Sequence, residues 1–435
     1  MLQFSKRLVP KGIKVTLVLT RFLSKSITSP ALNINLATIS DGFDDGGTEA
    51  AGSSEVWLTT FREVGSETLA QLIQKFSEAG DPVHCVVYNH CIPWCLDVAK
   101  RFDLLAAAFL TQSCAVDCVY KLIHEGVVKP PVKEEDGVLR FEGLPPLTAG
   151  DLPSLVSDVG SYGAVLDALV GQYENIKDAD WVLCNSIYEL EPEAANWLSK
   201  KVPNFTTIGP TIPSMYLDKQ LRDDVDYGFN IFKPINEPIK NWLSTKPNNS
   251  VVYVSFGSIA TLSPAQMEEL YHGLNNSNHY FLWVVRKTEE DKLPQHCISP
   301  KGLVVSWCPQ MEMLASPVMG CFLTHCGWNS TLEAVSLGVP MVVMPQWADQ
   351  FTNAKFIRDV WKVGVMVGGD DEGGLVRRGE IERCVKEVME GEKGEEMRRN
   401  CEKFGELVKD AATEGGSSDG NIRRFASSLI RAVKF

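Results

Sequence analysis

The sequence has no apolar run approaching the roughly 20 residues a membrane span needs, so stable membrane insertion is not expected. It has no Lys/Arg cluster longer than a few residues, and its formal net charge is -13. That balance disfavours nucleic acid or an anionic membrane surface as partner. A GxGxxG turn after a strand is missing, which counts against an NAD-binding oxidoreductase. None of the 12 cysteines forms a CxxC pair with zinc-ribbon spacing. His84, His124, His272, His279 and His296 show no metal-ligand spacing either, so no metal is expected. Because the cysteines sit in apolar segments, as Cys85, Cys184 and Cys321 do, they read as reduced core thiols of a cytoplasmic protein. The opening "MLQFSKRLVPKGIKVTLVLT" is too broken by charge and proline for a signal peptide. Low-complexity segments and short-period repeats are also missing.

What is present is a soluble composition, 44% hydrophobic and 22% charged over 435 residues, enough for two or three domains with sizeable cores. Apolar runs alternate with longer amphipathic stretches: "IKVTLVLT", "INLATIS" and "VHCVVYN", then "WVLCNSIY", "SVVYVSFGS", "YFLWVVR", "GLVVSWC", "GCFLTH" and "VPMVVMP". Val-rich runs separated by helical patterns predict parallel strands covered on both faces, hence a doubly wound α/β fold. Between Pro203 and Pro238 the Gly/Pro punctuation is dense and no period is sustained, which reads as a connection. Two similar α/β domains are therefore expected at 1–235 and 236–435, with a cleft between them.

The densest chemistry lies in "FLTHCGWNSTLEAVSLGVPMVVMPQWADQ". A strand ends at His325, Gly327 permits a tight turn, and a helix of less than three turns runs to Gly338. Asn329, Ser330 and Thr331 are expected at its N-cap and first turn, where free N–H groups and the helix dipole favour a phosphate. Glu333 shares their face one turn deeper, and a carboxylate so close to a phosphate calls for hydroxyl donors, such as a ribose diol, between them. Trp307 follows a strand and offers a stacking face, while Asp349 and Gln350 end in groups suited to sugar hydroxyls. Each feature alone also has a plain structural reading, as helix cap or core aromatic. Together they describe a nucleotide-sugar site.

The 44 residues from Trp307 to Gln350 resemble the signature of plant secondary-product glycosyltransferases in full length and order. Similarity to plant UDP-dependent glycosyltransferases of the GT-B fold extends over nearly the whole chain, through "TQSCAV", "GPTIPSMYLDK", "VVYVSFGS" and "EGGSSDGNI". "MLQFSKRL" and "YGFNIFKP" resemble the subgroup acting on terpenoids, benzoates and related small acids. The resemblance implies that Trp307 stacks on uracil, that Cys308 offers backbone contacts to the base, that Gln310 lies beside the nucleoside and that Glu333 takes the ribose hydroxyls. It implies further that His325, Asn329, Ser330 and Ser258 hold the diphosphate and that Trp328, Asp349 and Gln350 face the sugar. Gln at the last signature position is similar to glucose-using members, so UDP-glucose is the expected co-substrate, with no cofactor. The reaction would be an inverting displacement in which a His, oriented by an Asp, deprotonates the acceptor. A monomer is expected, with the last helix packing back on the N-terminal domain.

The chain departs from that pattern in three places. It opens at the helix that follows the family's Gly-His-x-Asn-Pro turn, so the turn, its catalytic His and the first central strand are expected to be missing, which would expose the edges of neighbouring strands. "YNHCIPW" puts Asn89 where the family has the dyad Asp, and Asn cannot stabilise an imidazolium by charge. His90 is adjacent, but a period of two points it to the opposite face of the strand, making it a poor substitute base and a partly buried loop residue on the plainer reading. Third, the loop "KLPQHCISPKGLVV" is a few residues short. Trp94, Thr111, Gln112 and Trp347 are candidate acceptor-pocket walls. The leading function is glucosyl transfer to a hydroxyl or carboxyl of a small lipophilic metabolite; the alternative is a catalytically silent nucleotide-sugar-binding homologue.

Overall fold

The structure is a computed structural model that describes residues 1–27, 34–221, 223–227, 237–295, 299–369 and 374–433. The expected domain boundary at 235/236, most of "YGFNIFKP" and His296 lie outside the described residues. Two compact units emerge, one formed by Met1–Ile231 with Asp410–Phe435 and the other by Phe232–Lys409.

In the first unit the strands are β1 (Thr16–Thr20), β2 (Asn35–Ile39), β3 (Cys85–Asn89), β4 (Leu105–Leu110), β5 (Trp181–Cys184) and β6 (Phe205–Thr207). They form two parallel sheets, β1-β2 and β3-β4-β5-β6. Among the described residues β1 is hydrogen-bonded only to β2, and β3 only to β4. Around them lie α1 (Leu2–Leu8), α2 (Ser54–Glu78), α3 (Trp94–Arg101), α4 (Cys114–His124) and α5 (Val159–Gly171). β4 was not legible as a strand because "LAAAFL" is alanine-rich, and alanine is depleted from strands. Burial of nearly the whole run between neighbours overrides that propensity. β6 lies inside the stretch expected to be an aperiodic connection, since three residues are too few to display a period.

The second unit carries β7 (Val251–Ser255), β8 (Tyr280–Val284), β9 (Gly302–Val305), β10 (Met319–Thr324), β11 (Met341–Val343) and β12 (Gly364–Met366) in one continuous parallel sheet of order β12-β11-β10-β7-β8-β9. The chain runs outward from β7 to β9, then returns to the other side of β7 and runs outward again through β12. The change of direction lies between β7 and β10, the place where doubly wound sheets open a crevice at their carboxyl ends. The connecting helices are α6 (Pro264–Asn276), α7 (Gln310–Leu314), α8 (Trp328–Ser336), α9 (Gln350–Lys355), α10 (Arg378–Met389) and α11 (Gly391–Ala412). Val252, Val254, Trp283 and Leu323 from the sheet pack with Leu270 of α6 and Ile381 and Val385 of α10.

The C-terminal helix α12 (Ser417–Val433) is part of the first unit. Phe425 packs 5.7 Å from Phe4 of α1, which in turn lies 5.6 Å from Phe109 of β4. Lys11 and Asp419 add an ion pair at 3.0 Å.

Candidate functional site

At the switch point, β7 ends in Ser255 and turns through Phe256 and Gly257, while β10 ends in Thr324 and turns through His325, Cys326 and Gly327. The imidazole of His325 lies against both glycines: a Cβ added to Gly257 or to Gly327 would come within 2.7 Å of the ring. Gly257 also has φ +72°, so any side chain there would be strained as well as crowded. Burial pushes the His325 pKa down to about 4, against a backbone hydrogen bond at Ser255 that favours the charged form. The ring is therefore neutral at pH 7.

Helix α8 starts two residues earlier than expected. Gly327 is its N-cap and provides no side chain, so Trp328, Asn329 and Ser330 form the first turn. Thr331, expected at the open end, is already inside the helix: its N–H reaches the Gly327 carbonyl at 3.0 Å and its hydroxyl donates to the Cys326 carbonyl at 3.1 Å. The backbone N–H groups of the first turn have no intrahelical acceptor and point out of the helix end. Asn329 is exposed there and Ser330 is buried.

Glu333 is buried one turn deeper, and the Gln310 side-chain amide donates to its carboxylate at 2.7 Å and to the Ser330 hydroxyl at 3.0 Å. Tyr253 continues the chain, placing its hydroxyl 3.5 Å from Gln310 Oε1 and 3.6 Å from the Cys308 thiol. Gln310, expected beside a nucleoside, therefore braces the carboxylate. Tyr253 was not singled out in the sequence, where it is one aromatic in a strand. Trp307 is half-buried at the end of β9.

The segment after β11 carries Trp347, then Asp349 as the N-cap of α9 and Gln350 as its first residue. Gln350 Oε1 accepts the backbone N–H groups of Gln346 at 2.8 Å and Trp347 at 3.1 Å, so only its NH2 end suits a sugar hydroxyl, a narrower role than expected. Burial raises the Asp349 pKa to about 6, opposed by hydrogen bonds from Asn353 and the Trp328 backbone. The Trp328 indole, expected to face the sugar, is buried beside Trp361 at 6.3 Å, and its backbone N–H is given to Asp349. Ser258 is exposed on a loop that Arg286 holds through the carbonyls of Ser258 and Ala260. Arg286 is a further residue that sequence reasoning missed.

In the first unit, Asn89 closes β3 and accepts the Cys91 N–H at 3.0 Å, a local turn contact. His90 is 2% exposed, not partly buried as expected. Gln172 donates from Nε2 to the Leu169 carbonyl, so its Oε1, 2.7 Å away, accepts from His90 Nδ1–H. Nε2 then accepts from the Thr111 hydroxyl at 2.9 Å. Burial holds the His90 pKa down at about 4. With both nitrogens engaged and little basicity, His90 is unsuited to deprotonate an acceptor directly. Trp94, a candidate pocket wall, is core instead: it is buried edge-on against Phe61 at 5.3 Å and close to Gly65. Thr111 and Gln112 are half-buried, and Gln112 Oε1 finds no hydrogen-bond partner among the described residues. Among the described residues no cluster of three or more His, Cys, Asp or Glu side chains could hold a metal, and no helix is long and apolar enough to cross a membrane.

Comparison with known proteins places this geometry in context. The model of the family described as "UDP-glucoronosyl and UDP-glucosyl transferase" matches residues 193–413. UDP-glycosyltransferase 74F2 of Arabidopsis thaliana is 48% identical over 98% of this chain and 94% of its own length. Flavonol 7-O-beta-glucosyltransferase UGT74F1 of the same plant is 46% identical over 98% and 94%. The crystal structure of Os79 from O. sativa in complex with UDP superposes with a TM-score of 0.93 at 41% identity, covering 98% of this chain and 96% of that one. The fold is thus that of the GT-B glycosyltransferases, and the chain belongs to the plant UDP-dependent glycosyltransferase family, whose co-substrate is a UDP-sugar.

Proposed function

We propose that this chain transfers glucose from UDP-glucose to a hydroxyl or carboxyl group of a small lipophilic plant metabolite, of the terpenoid or phenolic and carboxylic acid type, as a cytoplasmic monomer. The observation that carries the reading is the convergence, at one switch point, of neutral His325 between two glycines, the open first turn of α8 and the Gln310-braced carboxylate of Glu333. Residues 236–435 serve the donor: Trp307 and Cys308 take the base, Glu333 the ribose, and His325, Asn329, Ser330 and Ser258 the diphosphate. Asp349 and the NH2 end of Gln350 take the sugar, the Trp328 N–H being given to the Asp349 carboxylate. The single N–H of the neutral His325 ring goes to the Ser255 backbone, so His325 shapes the phosphate-binding turn by packing and brings no buried charge of its own, while the donors to phosphate are the N–H groups of the open first turn. Residues 1–235 serve the acceptor. In the reaction the acceptor oxygen forms a bond to the anomeric carbon as the bond to UDP breaks, the proton of a neutral acceptor passes to solvent water, an ionised acceptor has none to release, and the anomeric configuration inverts.

Asn89 favours a second reading, a homologue that binds nucleotide-sugar but turns over slowly. Its amide provides no charge to support a base, and general-base catalysis contributes about 10²–10⁴-fold. Acceptors that are already ionised need no base, so a carboxylate or acidic phenol should be glucosylated where an aliphatic alcohol is not. Titration calorimetry should show UDP and UDP-glucose binding in preference to NAD; equal or tighter binding of NAD would sink the assignment. Fast transfer to an alcohol, lost in His90→Ala, would reinstate His90 as the base.

A further inference from the structure

Resting on the sugar-facing role given to Asp349, we infer that Asn353 is a positioning residue that couples donor-sugar recognition to the phosphate-binding turn. Asn353 lies on α9, is 1% exposed and falls beyond the last residue of the signature. Its Nδ2 donates in two directions, to Asp349 Oδ2 at 2.7 Å and to the Cys326 carbonyl at 3.0 Å. Its backbone N–H also reaches the Asp349 carbonyl at 3.1 Å.

The turn is the fixed partner, held also by the Thr324 and Thr331 hydroxyls on Cys326, and the carboxylate is the one that is anchored to it. Cys326 adopts φ 52°, a left-handed conformation uncommon for a residue with a side chain, and it is the step between His325 and the N-cap of α8. Asp349 is a carboxylate in a largely buried setting, where an unpaired charge would reorient or take up a proton. One side-chain amide, through both of its hydrogens, therefore fixes the carboxylate and the turn relative to each other. Displacing the carboxylate would misplace the sugar while leaving the stacking and ribose contacts of the nucleotide in place. An aspartate at 353 is isosteric but cannot donate, and it would set a second carboxylate against the first.

The test measures UDP-glucose and UDP affinity by titration calorimetry at neutral pH for Asn353→Ala, Asn353→Asp, Asp349→Asn and the double variant Asp349→Asn with Asn353→Ala. UDP affinity reports whether the turn and the fold survive. Losing a hydrogen bond to a charged group should weaken UDP-glucose roughly 10- to 100-fold in either Asn353 variant, with UDP changed by less than about threefold. Because Asn353 acts through Asp349, the double variant should be no weaker than Asp349→Asn alone. Parallel loss of UDP and UDP-glucose, unchanged UDP-glucose binding, or additive losses in the double variant would each overturn the inference. If Asp349→Asn itself leaves UDP-glucose unaffected, the sugar-facing role of Asp349 falls, and the inference with it. A normal Asn353→Ala beside a weakened Asp349→Asn would overturn the inference alone.

Discussion

The two units are built from similar strands but differ in how their sheets close. The second has six parallel strands in one unbroken ladder, and its candidate site grows from the switch point inside that ladder. The first has its strands divided between a two-stranded and a four-stranded sheet, so β1 and β3 each carry one edge with no strand partner among the described residues. A two-stranded sheet is marginal by itself, and β2 is mostly exposed. The difference teaches that the groups proposed for the donor are held by a rigid frame, whereas those proposed for the acceptor depend on side-chain locks such as His90 with Gln172 and Thr111.

The largest expected effect concerns local stability. Amide hydrogen exchange should show β7 and β10 protected at least about 100-fold more strongly than β1 and β2, because unpaired edges and exposed backbone open at lower free energy. Equal protection would break the contrast between the sheets. Next in size is Glu333→Ala, which should weaken UDP binding by roughly 1.5–3 kcal/mol, the range for losing hydrogen bonds to a charged group. UMP should suffer alike, since the ribose is common to both. Should neither ligand be affected, Glu333 is a structural helix residue and the donor frame holds less of the ligand than argued.

The smallest effect is a pH dependence. The folded pKa of Asp349, about 6, lies above its ordinary 3.8, so the folded state keeps the proton across that window. Its contribution to stability is therefore fully present below about 3.8 and is lost as pH rises through 6. For the ligand the sign is opposite: UDP-glucose, whose diphosphate does not titrate there, should bind about 10-fold more weakly at pH about 5 than at pH about 7.5, as the charge-assisted contact becomes neutral. Asp349→Asn should remove that slope. A slope surviving the substitution would assign it to another group and loosen the sugar from this loop.

Much of this was legible from local pattern. "GCFLTH" and "VPMVVMP" read as strands because short continuous apolar runs bounded by turn residues have few alternatives, and the stop of α8 reads from Gly338 because glycine most readily adopts the left-handed φ, +71°, found there. The strands that escaped were short or alanine-rich, where neither period nor propensity discriminates. Trp94 escaped differently: a Trp beside a turn reads equally as wall or core, and only Phe61, 33 positions upstream on another helix, decides it.

Residue identity and spacing were enough to gather the candidate groups for a phosphate, a diol and a sugar, because all of those lie within 44 consecutive residues from Trp307 to Gln350. Only the tertiary structure decided which atoms remain available. Gln350 gives its oxygen to a nearby loop, Gln310 reaches across 23 positions to Glu333, and His90 is closed off by Gln172 at a separation of 82. Hydrogen-bond partners at those separations are set by sheet order and helix packing, which bring distant segments within 3 Å, and a periodicity of two or 3.6 holds no information about them.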